Sequence, residues 1–371
     1  FGLKDIGRRA SPAFADLDND GDLDAFIGND AGNTIYFKNT GQANAPQFVR
    51  IKDNPFGLKG VGLWAGQIMF TLDNLNQHID WWHDRLPGSG EDFDHEGTLT
   101  SFVFSPALTI GISNYWNLSL TQVMGSRYMG WEGNATTIHH RNEGSHTNFA
   151  NAFGGYLGDS KFLLRYLVLN DGQGEGRRFF LGGGIVVPSK NTLTSDPFFL
   201  NGEEKVDHRH FSMSEGVYKG VFELQYFKKR NSNPIFIGGA VTTELPLGTN
   251  KYGYKASEYY NLSLSALTKE LPKLKLALSS SLLFRFSTLA YWNNKPAPNS
   301  DSNTLTAGIG AILPARFGGV TIGVQKIFFL GGRFGLIEGE VDQRVSAYQI
   351  TLGYRKVFDY IIPWLDPLKD L

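Results

Sequence analysis

Segments in which apolar and polar side chains alternate with a period of two fill most of the chain after residue 62. In the stretch 272–288, one face carries Leu274, Leu276, Leu278, Ser280, Leu282, Phe284 and Phe286, and small or charged residues occupy the other. A period of two is the side-chain repeat of a β-strand. Many of these segments are ten to fourteen residues long, whereas strands of globular proteins most often have about 5–6. The pattern predicts an all-β fold with long strands.

Two architectures can produce this alternation. In a soluble sandwich the apolar face is the core, whereas in an antiparallel transmembrane β-barrel it meets lipid and the polar face lines the lumen. Aromatic residues near segment ends favour the barrel, because a membrane girdle places them there: Trp64, Trp116, Tyr128, Trp131, Tyr218, Tyr226, Tyr259, Tyr260, Tyr291, Trp292, Tyr348 and Tyr354. Charges on the polar face favour it as well, namely Arg165, Glu223, Glu244, Arg285 and Arg355.

The segments number thirteen: 63–73, 98–111, 114–125, 146–157, 161–169, 177–188, 216–228, 234–246, 257–268, 272–288, 304–314, 318–330 and 344–357. Because bacterial single-chain barrels prefer even strand numbers, we expect twelve or fourteen strands. The longest polar connections, 74–97, 126–145, 189–215 and 289–303, are then predicted extracellular loops. Gly158–Ser160, Leu271–Pro272 and Phe317–Gly318 are predicted periplasmic turns.

Composition narrows the class of protein. A chain of 371 residues can hold two or more domains, and it contains no apolar run of about 18 residues, which excludes transmembrane helices. A formal net charge of −1 gives no electrostatic argument for nucleic-acid binding. The absence of cysteine is typical of a bacterial cell-envelope or secreted protein without disulfides.

A cluster of carboxylates near the start of the chain predicts a Ca²⁺ site. Asp16, Asp18, Asp20, Asp22 and Asp24 alternate with other residues around Gly21. Oxygen ligands at every second position, with a glycine where the backbone turns, suit this large and flexible cation. Five like charges in nine residues repel one another unless a cation neutralises them. The alternative is an acidic surface turn without metal.

The stretch Ser11–Asp30, followed by Tyr36–Gly41, resembles a VCBS/FG-GAP repeat, the Ca²⁺-bearing blade unit of integrin-type β-propellers. The segment 1–7 recurs at 56–62 with five of seven residues identical, which indicates a repeat. We therefore expect a VCBS/FG-GAP-like repeat at 1–60, belonging to a longer array or leaning on the segment after it. The resemblance implies contacts with further repeats, another envelope protein or polysaccharide.

Residues 61–371 are expected to form the outer-membrane barrel. Gly182–Ser189, a glycine-rich strand that ends in proline, is similar to a feature of MetA-pathway and fatty-acid-type outer-membrane transporters. The resemblance implies a channel in the bacterial cell outer membrane, with membrane lipid and small hydrophobic solutes as partners. The alternative is a surface adhesin or structural envelope protein whose barrel is only an anchor.

Other constellations argue against an enzyme. No nucleophile elbow, P-loop or dinucleotide fingerprint is present, and adjacent Ser145 and His146 are the only hint of a barrel hydrolase. The eight histidines fall in the predicted outer loops, in three groups with acidic residues. Those groups are His78, His83 and His95; His139, His140 and His146; and His208 and His210. They lack a fixed metal-ligand spacing, so solvated loops are favoured over a transition-metal site.

Overall fold

The computed structural model describes residues 2–3, 10–16, 21–28, 34–50, 63–84, 93–133, 136, 141–171, 175–198, 208–298, 300–315, 317–332 and 342–365. The chain separates into two compact units, Phe1–Gly57 and Leu58–Leu371. Among the described residues, no helix has the length and apolar character needed to cross a membrane.

The described part of the first unit is a four-stranded antiparallel sheet. Its strands are β1 (Ser11–Ala15), β2 (Asp24–Gly28), β3 (Thr34–Asn39) and β4 (Phe48–Arg50), each paired with the next in the chain. Ala25, Ile27, Phe37 and Phe48 form its buried core. Asn39 closes the β3–β4 connection, because its buried Oδ1 accepts hydrogen bonds from the backbone N–H groups of Gly41 and Gln47. The unit is a meander with a core of its own.

The described part of the second unit contains sixteen strands: β5 (Gln67–His83), β6 (His95–Gly111), β7 (Trp116–Trp131), β8 (Glu143–Gly144), β9 (Leu157–Asn170), β10 (Gly176–Val187), β11 (Lys219–Lys229), β12 (Phe236–Pro246), β13 (Tyr254–Lys255), β14 (Tyr259–Leu267), β15 (Ala277–Ser287), β16 (Tyr291–Trp292), β17 (Lys295–Pro296), β18 (Ser302–Ala315), β19 (Gly318–Gly332) and β20 (Gln343–Ile361).

Twelve of these described strands form a closed antiparallel ring. Its order is β5, β6, β7, β9, β10, β11, β12, β14, β15, β18, β19 and β20, and β20 pairs with β5. The short β8 adds to β7, while β13, β16 and β17 form a small separate sheet. The predicted barrel and its even strand number are confirmed, and the sandwich alternative is wrong because the ring has no second sheet packed on it among the described residues.

Of the thirteen predicted strands, the one at 146–157 is wrong, and the other twelve correspond to the strands of the ring. The side chains of Asn148 and Asn151 form hydrogen bonds with loop backbone, and none of residues 146–156 lies in a strand of the ring. Asn148 Oδ1 accepts from Gly154 N at 2.7 Å, and Asn151 Nδ2 donates to Arg209 O. Such side chains offer the backbone an alternative to strand pairing. Strands β5 and β7 also extend further than expected, into 74–83 and 126–131, and Gly158–Ser160 lies inside β9 rather than in a turn.

Register separates the two faces of the wall. One row of cross-strand neighbours, which we call the glutamine row, consists of Ser265, Ser281, Gly308, Gln325, Gln349, Gln77, Ser101 and Arg127. The opposite face of the same strands carries apolar residues that the protein itself leaves exposed. Examples, with their exposed fractions, are Leu264 (50%), Ile309 (74%) and Val324 (55%). Polar positions therefore face the lumen and apolar ones face outward, as in a transmembrane barrel.

The connections differ sharply between the two ends of the ring. At one end they are short: 112–115, 171–175, 230–235, 268–276 and 316–317. At the other end they are long: 84–94, 132–156, 188–218, 247–258, 288–301 and 333–342. Short turns lie on the periplasmic side of outer-membrane barrels and long loops on the extracellular side. The first and last barrel strands begin and end at the short-turn end, which is thus the periplasmic one.

Pro106 interrupts the pairing of β6 with β7. Residues 105–106 have no partner on β7, because proline lacks the N–H that a ladder needs. Next to the gap, Gln122 Nε2 donates to the carbonyls of Val123 and Gly158 at 2.7 and 2.9 Å. Gly125 adopts φ +148°, and a Cβ there would lie 2.1 Å from Phe102 O. Side-chain bonds and a glycine thus repair the wall where the ladder fails.

We expect Leu282→Arg to destabilise the folded barrel by about 2–4 kcal/mol, because it places a charge on the lipid face near the centre of β15. The free energy of unfolding from lipid bilayers, measured by denaturant titration, checks this. Leu247→Arg, in a long loop, is the matched control and should change that free energy by less than about 1 kcal/mol. Equal losses for both variants would contradict the assignment of the outer face.

Candidate functional site

A second row of inward neighbours contains charged side chains of both signs. This charged row consists of Asn117, Arg165, Gly182, Glu223, Thr242, Asn261, Arg285 and Thr304. Neither it nor the glutamine row contains an apolar side chain larger than glycine. Two such rows on adjoining parts of the wall make the middle of the lumen hydrophilic.

Within the charged row, Arg165 of β9 reaches Glu223 of β11 across the intervening strand. Arg165 Nε lies 2.5 Å from Glu223 Oε1, and Arg165 Nη1 donates to Ser119 Oγ at 3.2 Å. Gly182 of β10 lies beneath this bridge, where a Cβ would come within 3.3 Å of Glu223 and 3.4 Å of Arg165. The glycine run that begins at Gly182 therefore provides the space for an ion pair over the wall.

The glutamine row is joined by amide hydrogen bonds. Gln349 Nε2 donates to Gln325 Oε1, and Gln77 Nε2 donates to Gln349 Oε1 at 3.4 Å. Gly308 leaves room for this side-chain ladder, since a Cβ there would lie 2.6 Å from Gln325 Cγ. Apart from Arg127, this row presents neutral donors and acceptors to the lumen.

Toward the long-loop end the inner wall becomes apolar. The apolar mouth, as we call it, consists of Ile79, Leu99, Ile327, Phe329, Val345 and Ala347. An aromatic cluster continues it on β5, β6 and β7: Trp81 and Trp131 have ring centroids 6.3 Å apart, and His95 lies 5.8 Å from Trp131. A solute entering from this end meets an apolar surface before the polar rows.

The long connections 141–156, 188–198, 208–218, 247–258 and 288–298 pack together in a loop cap. Arg209 lies at its centre with a fully buried side chain. Its guanidinium donates to the carbonyls of Ser145, Thr147 (2.8 Å) and Phe153 (2.8 Å) and to Asn191 Oδ1 (3.1 Å). Burial lowers the pKa of Arg209 to about 10, against the opposing effect of the Glu143 charge, so the group is cationic at neutral pH.

Two further contacts join the cap to the inner wall. Glu215 Oε1 accepts from the hydroxyl of Tyr259 on β14 at 2.8 Å, and Glu215 Oε2 forms an ion pair with Lys219 on β11. Arg127 Nη1 of β7 donates to Ser212 O at 3.1 Å. The cap is thus attached to three different strands through polar groups.

Sequence reasoning missed Arg209 and Glu215, and it assigned Tyr259 to the membrane girdle, whereas Tyr259 lies on the inner face of β14 and contacts Glu215. Their roles depend on loops that meet only in the folded chain, and no residue spacing in the sequence indicates them. The predicted loop position of His78, His83 and His95 is wrong, because these residues lie on β5 and β6. Longer strands than expected explain the difference.

The remaining histidines are divided between the cap and undescribed segments. His208 and His210 approach within 3.2 Å through their Nε2 atoms, and His210 Nδ1 lies 3.2 Å from Glu143 Oε1. His139 and His140 are outside the described residues. Over the described ranges no group of three or more His, Cys, Asp or Glu side chains could hold a metal ion.

Ser145 and His146 are not paired as a nucleophile and its base. Ser145 Oγ accepts from Arg127 N at 2.8 Å, and its side chain is fully buried. His146 Nδ1 instead lies 3.2 Å from Ser126 Oγ, and its ring stacks on Tyr156. The geometry needed for a hydrolase is not formed by these two residues.

The predicted calcium loop is described only at its two ends. Asp18 and Asp20 are outside the described residues. Asp16 Oδ2 accepts from Gly21 N at 3.1 Å, and Gly21 has the left-handed φ of +90°. Asp22 and Asp24 are buried, and Asp24 Oδ1 accepts from Asn39 N at 2.7 Å. The Ca²⁺ site stays a prediction.

No protein-family model matches the chain. No curated protein matches it in sequence either.

Solved structures do resemble it. An outer membrane channel from Pseudomonas putida F1 superposes with a TM-score of 0.55 at 11% identity, over 83% of this chain and 100% of that one. The TodX monoaromatic hydrocarbon channel and the translocator domain of the autotransporter NalP from Neisseria meningitidis both give TM-scores of 0.36, at 11% and 9% identity, over 80% of this chain and 91% of theirs.

The Pseudomonas channel shares the fold, whereas the other two superpose too loosely to support an argument. The closed ring, its apolar exterior and this shared fold place the protein in the bacterial outer membrane. Its lipid-facing belt makes membrane lipid a partner.

We expect Arg209→Lys to loosen the loop cap by about 2–4 kcal/mol. A lysine keeps the charge but lacks the planar guanidinium fork with which Arg209 satisfies four acceptors. Each buried carbonyl left without a donor costs about 1–3 kcal/mol. The initial rate of chymotrypsin cleavage within 141–156 should rise about 30-fold or more, as local opening becomes more frequent. Arg230→Lys, in a short turn, is the control. An unchanged cleavage rate, with the barrel folded by heat-modifiable electrophoretic mobility, would contradict the role of Arg209.

Proposed function

We propose that the protein is an outer-membrane channel for small hydrophobic molecules. The apolar mouth on the inner wall is the observation that carries this proposal. A wall that serves only as an anchor needs apolar residues toward lipid, and it gains nothing from six of them facing the lumen at the extracellular end. Pores that conduct need weak binding along the path, and an apolar entrance followed by polar rows supplies it.

Ring size and fold support the same function. A twelve-strand ring is wider than the eight-strand barrel whose interior side chains fill. The structure that shares the fold is described as an outer membrane channel. Neutral and charged rows in the middle of the lumen then set which solutes continue toward the periplasm.

A second candidate is an anchor for the first unit, as an adhesin or structural envelope protein would use it. The loop cap favours this alternative, because Arg209 and Glu215 hold loops together at the extracellular end. Planar-bilayer recording separates the two: discrete conductance steps support a channel, and a sealed barrel supports the anchor.

We expect Ile327→Asn to slow the permeation of a small hydrophobic solute about fivefold, the equivalent of about 1 kcal/mol of lost apolar contact in the mouth. Efflux of toluene-like probes from proteoliposomes measures this. Ile112→Asn, the same substitution made in a short turn, is the control and should leave the permeation rate unchanged. An Ile327 variant that folds and transports at the original rate would refute a role for the apolar mouth.

For the first unit we propose a Ca²⁺-binding repeat of the VCBS/FG-GAP type, with Asp16, Asp18, Asp20, Asp22 and Asp24 as its ligands. The left-handed Gly21 and the Asp16–Gly21 hydrogen bond fit a loop that folds back on itself. The meander of four short strands fits a blade-like unit. Such a unit would act as a rigid appendage for contacts with further repeats, an envelope protein or polysaccharide.

Calorimetric titration of the full chain in detergent tests the calcium proposal. We expect Ca²⁺ to bind, and at a concentration one hundred times its Kd to stabilise the first unit by about 2.7 kcal/mol. Asp16→Asn and Asp18→Asn should each weaken binding about tenfold or more, since each removes a charged side-chain ligand. Asp171→Asn, at an exposed turn, is the control. The absence of binding heat in the unaltered chain would end this proposal.

A further inference from the structure

Three arginines on the inner wall donate to neutral acceptors, although carboxylates lie within electrostatic range of two of them: Glu215 and Asp159 of Arg127, and Asp73 of Arg355. Arg127 Nη1 donates to Ser212 O, Arg285 Nε to Asn261 Oδ1 at 2.9 Å, and Arg355 Nε points to Met69 Sδ at 2.9 Å. Within the described part of the chain, none of the three forms an ion pair within 4.0 Å. A guanidinium remains charged in proteins, so each contributes a full positive charge to the lumen.

The carboxylates of the lumen are, in contrast, mostly neutralised. Glu223 pairs with Arg165, Glu244 with Lys161 and Glu215 with Lys219. Asp159 accepts from Ser189 N at 3.1 Å. Three of these four carboxylates are therefore paired with a lysine or arginine other than Arg127, Arg285 and Arg355, whereas the hydrogen bond leaves the charge of Asp159 in place.

The described lumen therefore holds an excess of positive charge. Inward strand positions carry eight cations: Arg127, Lys161, Arg165, Arg178, Lys219, Lys229, Arg285 and Arg355. Five carboxylates face them, four on strands and one on the loop cap: Asp73, Asp159, Glu215, Glu223 and Glu244. Eight minus five leaves three positive charges.

Two of these arginines are electrostatic neighbours. Arg127 on β7 and Arg285 on β15 lie within range of each other, together with Tyr259 and the carboxylates of Glu215 and Asp159. A lumen with low-dielectric walls focuses such a field, which raises the local concentration of counter-ions. The planar guanidinium fork also matches the geometry of a carboxylate.

From these charges we propose that the lumen selects anions over cations, and that its preferred solutes are small organic carboxylates with an apolar body. The apolar mouth takes the body, and Arg127 and Arg285 take the carboxylate. This inference rests on the proposed channel function and names its substrate class.

Reversal potentials in planar bilayers test it. With a tenfold KCl gradient across the full chain, we expect chloride to be about threefold or more as permeant as potassium, as fixed charge in a narrow pore dictates. Arg285→Gln and Arg355→Gln together should bring this ratio toward one. Lys228→Gln, on the outer face of β11, is the control and should leave the ratio unchanged.

Substrate class is tested in the same recordings. Benzoate should block the chloride current at concentrations where benzyl alcohol, of similar size but uncharged, does not. Potassium preference, or equal effects of the two compounds, would overturn the inference while leaving the channel proposal standing. A complete absence of conductance would instead overturn the channel proposal, and the inference with it.

Discussion

Pairing of the last barrel strand, β20, with the first, β5, closes the ring, and the remaining features of the barrel depend on it. Lipid offers no partner for a free N–H or C=O group, so an open edge between these strands would cost several kcal/mol for each unpaired group. Closure also fixes which side of every strand is inside. Only then do the glutamine row and the charged row face one shared lumen, and only then are the exposed leucines of the same strands covered by acyl chains.

The pairing of β7 with its neighbours β6 and β9 is irregular, and side chains compensate for it. Pro106 removes a donor in β6, Gly125 bends β7, and the register of β7 with β9 shifts between Gln122 and Met124. Gln122 then binds two carbonyls, and Asn74 Nδ2 donates to Val103 O at 3.2 Å. These amides lie on the outward face, where the alternation calls for apolar residues, because backbone groups there would otherwise be unsatisfied in lipid.

Much of the barrel could be predicted from the sequence, whereas the cap and most of the lumen contacts could not. Alternation is a local signal, so it revealed the strands, the membrane-facing side and charged lumen positions such as Arg165, Glu223 and Arg285. It failed at 146–157, where apolar and polar residues also alternate but asparagines bind the loop backbone. Arg209 bonds to Ser145, 64 positions earlier in the chain, and no local period records such a contact. The carboxylates of the Asp16–Asp24 loop remain predicted ligands.

A packed cap and the proposed channel are compatible because the contacts inside the cap differ from those between the cap and the wall. Inside the cap, Arg209 satisfies four acceptors in a fully buried setting, and breaking it up would expose all of them at once. Between the cap and the wall, the described contacts through Glu215, Tyr259 and Arg127 are few, so separation there breaks fewer bonds than opening the cap does. Separation at the wall therefore costs less than dissolution of the cap. In the proposed channel, the same step would free Arg127 from Ser212 and leave its guanidinium available to a carboxylate solute.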